Sequence, residues 1–226
     1  MATTILTDET NGVMTTASIG IGSGLDPDMT DRLYEQARSD SGALPWGRDG
    51  AHPSLIAWLN AEASGLVRPG SRAVIAGCGL ADDAAELAGR GYDVEAFDAS
   101  PAAVEWARQR HPVLSGSITR ADARTPPSRW RRRFDLVVGL DLLAWLDAEA
   151  RPDVVEGLAS LAHPHGCVLS LERGERVGFE GVSLSAEELA GLYSRARLAP
   201  VTALDDFEDD GLPPTRWLRG AFRPIR

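Results

Sequence analysis

The stretch VIAGCGLADD, residues 74–83, decides how this chain folds. An apolar run ends at two glycines one residue apart, Gly77 and Gly79, and an Ala-rich helical pattern begins directly after them. A glycine turn between a strand and a helix lets the backbone approach a ligand closely, and it is typical of nucleotide-binding βαβ units. The sequence therefore predicts a nucleotide-derived cofactor at this turn.

Strand-like and helix-like patterns alternate from the glycine turn to the end of the chain. Strands alternating with helices of about ten residues predict parallel βαβ units with helices on both faces. We expect an α/β fold with a doubly wound, mostly parallel, seven-stranded Rossmann-like sheet. Two final runs are expected to end it as an antiparallel pair. The predicted strands are 72–77, 93–98, 118–122, 134–140, 167–172, 200–206 and 216–225.

The length of 226 residues fits one domain. We divide it into a flexible tail at 1–25, which lacks either periodicity, a helical lid at 26–65 and a cofactor-binding core at 66–226. The lid contains two predicted helices, and Pro53 stands in the first turn of the second.

Composition excludes several classes of partner. With 33 acidic and 23 basic residues the net charge is −10, which disfavours nucleic acid and anionic membrane surfaces. The basic run RWRRRF, residues 129–134, is predicted to be a solvated loop. No signal-peptide pattern opens the sequence and no apolar stretch is long enough to span a membrane, so we expect a cytoplasmic protein.

The types of residue present also exclude several kinds of catalytic and binding site. The chain contains no lysine, so neither a P-loop lysine nor a Schiff base is available. Cys78 and Cys167 each stand beside an apolar run and are predicted to be buried thiols rather than a disulfide or metal pair. The four histidines show no metal-binding spacing, and His163 and His165 are predicted to lie in a loop. We therefore expect no metal site.

The residues around the glycine turn narrow the choice of cofactor. Asp98 follows Gly77 by 21 positions at the end of the second strand, where an acidic side chain accepts hydrogen bonds from ribose hydroxyls. A dinucleotide fingerprint requires glycine at position 82, but Asp82 and Asp83 stand there and would repel a pyrophosphate. Two carboxylates suit the sulfonium and amino groups of S-adenosylmethionine (SAM). Asp122, after the third strand, is placed to recognise an adenine amino group.

Residues 73–112 and 134–166 resemble the class I SAM-dependent methyltransferases, and the likeness extends over 44 to about 195. Within that class the chain is most similar to the thiopurine and thiol/halide methyltransferase branch. The features that carry this second likeness are PWGRDGAHP in the lid, Ile75, Arg151 and the segment 176–189.

The resemblance implies roles for residues that match the family motifs. Trp46 packs on the cofactor from the lid, and Asp83 contacts the methionine part together with the glycine turn. The full cofactor set that it implies is Trp46, Gly77, Cys78, Gly79, Asp83, Asp98, Ala99, Asp122, Ala123 and Gly139.

The chain also departs from the family at three positions. Gly139 and Leu140 replace a polar pair at the end of the fourth strand. Ala81 replaces the third glycine of the turn, which we expect to be tolerated if the backbone there is helical.

Methyl transfer from a sulfonium mainly requires alignment of donor and acceptor and exclusion of water, and it needs a general base only for some acceptors. The catalytic candidates are Asp141, Arg151 and His52, and Trp145 and the pair Glu172 and Arg173 lie near the same strand ends. The expected partner is a small-molecule acceptor: a thiol, a halide, or a natural-product hydroxyl or amine. Two alternatives stay open, a non-catalytic SAM-binding or scaffold protein and a nucleotide-dependent oxidoreductase, and the sequence leaves the oligomeric state undecided.

Overall fold

The structure is a computed structural model that describes residues 27–37, 40–175, 183–211 and 214–225. The predicted tail at 1–25 and the first seven residues of the segment 176–189 lie outside this part of the chain.

One sheet organises the molecule. Its strands are β1 Arg72–Ala76, β2 Asp93–Asp98, β3 Ile118–Arg120, β4 Phe134–Leu140, β5 Ala162–Arg173, β6 Leu198–Pro200, β7 Asp205–Glu208 and β8 Arg216–Pro224. The strand order is β3-β2-β1-β4-β5-β8-β6, and β7 pairs with β8 beside that path. The pairs among β1 to β5 are parallel, whereas β8 runs antiparallel to β5, β6 and β7. The mostly parallel Rossmann-like fold is confirmed, with β7 as an addition to the seven strands of the path.

In the described part of the chain six α-helices flank the sheet, and serine hydroxyls cap two of them. The six helices are α1 Pro27–Ala37, α2 Pro53–Ala61, α3 Asp82–Gly89, α4 Pro101–Arg110, α5 Arg151–Leu161 and α6 Ala186–Arg195. The Ser100 hydroxyl accepts a hydrogen bond from the Ala103 amide at 3.0 Å and begins α4. Ser185 caps α6 in the same way through the Glu188 amide. No described helix is both long and apolar enough to cross a membrane.

Two stretches of the strand prediction were wrong. The run 200–206 is not one strand, because β6 ends at Pro200 and β7 begins at Asp205 with a bend between them. Both pieces pair with β8. At the start of β5 the strand begins at Ala162, directly after α5, so His163 and His165 lie in a strand rather than a loop. The pairing of β5 with β4 is irregular there, between Phe134 and Leu136, which absorbs the extra residues.

Apolar side chains fill both faces of the sheet. Along β1, Val74 and Ala76 join the cluster that contains α1, α5 and α6, while Ala73 and Ile75 join the cluster on the opposite face. The alternation follows from the two-residue period of a strand. In the second cluster Trp58 of α2 is only 1% exposed. The two lid helices are therefore packed into the cores on opposite faces of the sheet.

Candidate functional site

A cleft of about 300 Å³ opens where β1, β2, β3 and β4 end. Parallel strands bring their carboxyl ends to one edge of a sheet, and this is where open α/β folds bind ligands. The volume lies at the lower end of the range of about 300–1,000 Å³ usual for small-molecule sites. The predicted site residues that line the cleft are Trp46, Gly77, Cys78, Gly79, Asp83, Asp98, Ala99, Asp122, Ala123 and Asp141.

Both glycines of the turn adopt a left-handed backbone conformation that disfavours a residue with a Cβ, and side chains lie close to each of them. Gly77 has φ +63°, and a Cβ there would lie 2.7 Å from the Leu142 side chain. Gly79 has φ +50°, and a Cβ would lie 2.9 Å from the Tyr34 hydroxyl. Ala81 is also left-handed, with φ 62°, so the helical backbone on which its tolerance was made conditional is not found. The turn therefore keeps a glycine-like conformation where it has lost its third glycine.

Asp98 is fixed beside this turn by two backbone amides. Its Oδ2 accepts a hydrogen bond from the Gly79 amide and its Oδ1 from the Ser100 amide, both at 2.9 Å. The residue is 8% exposed, and burial raises the pKa of its carboxyl. Because a carboxylate oxygen has two lone pairs, each oxygen can accept one more donor from the cleft. The arrangement suits a diol.

Two carboxylates occupy the N-terminus of α3. Asp83 Oδ1 accepts a hydrogen bond from the His52 amide at 2.7 Å, and its Oδ2 lies 3.5 Å from the Arg48 guanidinium. Burial raises the pKa of Asp83, with Arg48 acting in the opposite direction. Asp82 binds Arg110 and His111, each at 2.8 Å. Negative charge already fills the end of the helix where a pyrophosphate would rest.

Asp122 stands at the β3 end of the cleft. Arg124 binds its carboxylate through both oxygens, and this hydrogen-bonded ion pair lowers the pKa of Asp122. Any further donor must therefore share the carboxylate with Arg124.

Aromatic side chains from the lid and from the β4–α5 loop form the remaining wall. Trp46 Nε1 donates to the Tyr34 hydroxyl at 2.8 Å, and the rings of Trp46 and Trp145 meet nearly edge to face at 5.1 Å. The Arg173 guanidinium lies 5.0 Å from the Trp145 ring and binds both oxygens of Asp141 at 2.8 Å. Asp141 is buried and left-handed, with φ 49°. Non-glycine residues held in this conformation cluster at functional sites.

Three predicted site residues do not line the cleft. His52 Nδ1 accepts the Ser54 amide and caps α2, and burial followed by the charge of Arg48 lowers the pKa of His52 to about 3. Arg151 donates to the Leu143 carbonyl and to Glu188 instead of facing the cleft. A Cβ at Gly139 would point toward Leu158 of α5. The geometry does not favour catalytic roles for His52 and Arg151, or cofactor contact by Gly139.

The two cysteines, Cys78 and Cys167, are free thiols, and both are buried. Cys78 lines the cleft, where burial, followed by the charge of Asp98, raises the pKa of its thiol. Within the described chain, no three His, Cys, Asp or Glu side chains are grouped to hold a metal ion.

Sequence reasoning missed several residues that line the cleft. Arg48 stands two positions after Trp46, and in the structure its guanidinium lies 3.5 Å from the Asp83 carboxylate. For Tyr34, the sequence indicated only a buried position on the apolar face of α1. Asp147 and Leu142 also line the cleft, and no local pattern marks them.

Comparisons with known proteins agree with this geometry. Residues 74–166 match the family described as a methyltransferase domain. Curated proteins give no match.

Among solved structures, a protein studied for the conversion of a disulfide bond into a thioacetal group during echinomycin biosynthesis has a TM-score of 0.71 at 21% identity, over 88% of this chain and 92% of that chain. Magnesium protoporphyrin IX methyltransferase from Synechocystis PCC 6803, with SAM bound, has a TM-score of 0.66 at 20% identity, over 88% and 98% of the two chains. The 1,6-didemethyltoxoflavin-N1-methyltransferase from Burkholderia thailandensis, with S-adenosylhomocysteine (SAH) bound, has a TM-score of 0.65 at 20% identity, over 89% and 92%. These likenesses show the fold.

Proposed function

We propose that this chain, a SAM-dependent methyltransferase by its domain at 74–166, transfers the methyl group to an uncharged small molecule with an apolar body. One observation carries the proposal. A single cleft joins a doubly anchored carboxylate, Asp98, and the glycine turn to a wall formed by Trp46 and Trp145. The first part suits the cofactor, and the second suits an apolar acceptor.

The residues present fit SAM. Asp98 keeps free lone pairs for ribose hydroxyls, and Gly77 and Gly79 leave the backbone open where a side chain would collide with its neighbours. Asp83 and the glycine turn would hold the methionine end, and Asp122 with the Ala123 backbone would hold the adenine. When bound, SAM supplies an electrophilic methyl group on a sulfonium.

Charge in the cleft supports a cationic cofactor and an uncharged acceptor. The lining includes the carboxylates of Asp82, Asp83, Asp98, Asp122, Asp141 and Asp147 but only the guanidiniums of Arg48 and Arg124. A cleft of one dominant sign concentrates ligands of the opposite charge and repels its own. A halide is therefore the acceptor that this cleft favours least. A thiol, phenol or amine that enters uncharged meets no such barrier.

Apolar groups line the rest of the cleft, and they would orient the acceptor and exclude water. Besides the two tryptophans they include Leu44, Leu140, Leu142 and Leu146. Leu140 stands where the thiopurine and thiol/halide branch has a polar residue, so this wall recognises shape rather than charge. Enclosure of the reacting atoms by such a surface brings them to attack distance without competing water.

Few side chains in the cleft are available to accept a proton from the acceptor. Arg173 binds both oxygens of Asp141, and burial keeps the Cys78 thiol protonated, so neither is free to act as a base. Asp147 lines the cleft, and its side chain makes no hydrogen bond or ion pair within the described residues. It is the carboxylate left to accept the proton that a hydroxyl, thiol or amine acceptor loses on methylation.

The test is SAM-dependent release of SAH, followed by mass spectrometry, across aromatic thiols, phenols, amines and iodide. We expect turnover on an uncharged aromatic acceptor and none on iodide, and loss of turnover in Asp98→Asn but not in Asp206→Asn, a matched surface control outside the cleft. SAH binding without turnover on any acceptor would support the non-catalytic SAM-binding alternative and overturn the proposal.

A further inference from the structure

Glu172 lies beneath the wall of the cleft and is fully buried, with an exposed fraction of 0%. It belongs to β5, and its Oε2 accepts hydrogen bonds from the amides of Leu143 at 2.9 Å and Ala144 at 3.2 Å. Its Oε1 has no hydrogen-bond partner among the residues that the structure describes. A buried carboxyl with one oxygen fully used and the other idle is uncommon, because an unpaired polar atom is costly to bury.

The segment held by Glu172 is the one that faces the acceptor half of the cleft. Residues 141–146 connect β4 to the turn before α5, and Asp141, Leu142, Trp145 and Leu146 line the cleft. Arg151 holds the same segment from α5, since its Nε donates to the carbonyls of Leu143 at 3.0 Å and Leu146 at 3.2 Å. The loop is therefore fixed by its amides to β5 and by its carbonyls to α5.

Charge around Glu172 shows why it holds the loop without an ion pair. The neighbouring Arg173 already binds both oxygens of Asp141. Burial, followed by the negative charge of Asp141, raises the pKa of Glu172 well above its usual range. An uncharged carboxyl still accepts hydrogen bonds from amides through its carbonyl oxygen. Glutamine offers the same acceptor with nearly the same shape.

We propose that Glu172 is a positioning residue for methyl transfer, which fixes Leu142 and Trp145 against the acceptor by holding the amides of Leu143 and Ala144. Glu172 does not line the cleft, so it acts through the loop. The inference rests on the proposed function, because it assigns the acceptor to the wall that this loop forms. The carboxylates that would hold the cofactor, Asp83, Asp98 and Asp122, stand on other segments of the chain.

Three variants separate this role from a general structural one. Glu172→Gln keeps the acceptor oxygen, and Glu172→Met fills the space without one. Ser170→Ala is the matched control, because Ser170 is equally buried two residues earlier on β5 while the amides of Leu143 and Ala144 are held by Glu172. Each variant is characterised by hydrogen exchange at 141–146, by SAH affinity and, with the best acceptor of the panel, by KM and kcat.

We expect amide exchange at 141–146 to be about tenfold faster in Glu172→Met, the effect of losing two hydrogen bonds of ordinary strength. Glu172→Gln and Ser170→Ala should exchange like the wild type. SAH affinity should stay within about twofold in all three, because Asp83, Asp98 and Asp122 stand elsewhere. KM for the acceptor should rise about tenfold in Glu172→Met with a smaller change in kcat, and Glu172→Gln should restore it.

Unchanged exchange in Glu172→Met would overturn the inference, as would a Glu172→Gln variant no better than Glu172→Met. Parallel loss of melting temperature and SAH affinity in Glu172→Met would mean a general structural role and would overturn it too. If the wild type methylates no acceptor, the proposed function fails, while exchange at 141–146 still decides whether Glu172 holds the loop.

Discussion

The backbone amide of His52 donates a hydrogen bond to Asp83 Oδ1 at 2.7 Å. The bond joins the lid to the helix that follows the glycine turn, and Arg48 lies 3.5 Å from the other oxygen of the same carboxylate. Because Asp83 also lines the cleft, a ligand that contacts it meets a group that already holds the lid. Binding of the cofactor and ordering of the lid are therefore expected to be coupled.

The lid provides the first prediction. SAH should protect the amides of residues 44–56 from hydrogen exchange, because these residues close one side of the cleft. Trp46→Ala should weaken SAH binding and leave the fold intact, since Trp46 is only half-buried and packs at the margin of the core cluster. If saturating SAH leaves the exchange rates at 44–56 unchanged and Trp46→Ala greatly lowers stability, the lid is a static cap that does not respond to the cofactor.

The two strand-end carboxylates should differ in their contribution to cofactor affinity. Asp98→Asn replaces an acceptor oxygen by a donor facing the Gly79 or Ser100 amide, and it should weaken SAH binding by about tenfold or more, because hydrogen bonds to charged groups contribute about 1.5–3 kcal/mol. Asp122→Asn should cost less, since Arg124 already engages that carboxylate. Calorimetry on both variants measures the difference, and equal losses would place the ribose elsewhere.

Part of this site was predictable because it depends on local rules. The glycine turn, Asp98 and Asp122 follow strands whose carboxyl ends must meet at one edge, so their spacing sufficed. His52 and Arg151 do not line the cleft, and the sequence could not show this because it does not reveal which way a side chain points. His52 turns inward to cap α2, and Arg151 turns toward backbone carbonyls. The partner of Asp141 was equally hidden, since Arg173 reaches it from a different strand.

Ala81 tests how much strain the turn stores. With φ 62° it occupies a conformation that costs a residue with a Cβ about 1–2 kcal/mol. Ala81→Gly should remove this strain but also remove one buried methyl group, which contributes about 0.8 kcal/mol. The free energy of unfolding should therefore rise slightly. Ala85→Gly, inside α3, should lower it by about 1 kcal/mol. Urea denaturation compares them, and equal losses in both variants would show that position 81 is unstrained.

Glu172 provides a prediction on pH. Its pKa is raised in the folded protein, so the folded state retains a proton that the unfolded chain releases above its ordinary value of 4.5. The free energy of unfolding is highest, as far as Glu172 is concerned, below pH 4.5, where its carboxyl is protonated in both states. It decreases as pH rises toward the folded pKa, by up to about 1.4 kcal/mol per pH unit. Glu172→Gln has no carboxyl to titrate at this position. The free energy of unfolding of the variant minus that of the wild type should therefore increase from pH 5 to pH 8. A gap independent of pH would mean that Glu172 is ionised in the fold.

The central claim is that the cleft at the ends of β1 to β4 binds SAM, and parallel calorimetric titrations with SAH and NAD test it most directly. We predict one SAH per chain with a dissociation constant of about micromolar or below, and no measurable heat with NAD, because Asp82 and Asp83 occupy the helix end where a pyrophosphate would rest. Tight binding of NAD with no heat from SAH would contradict the account.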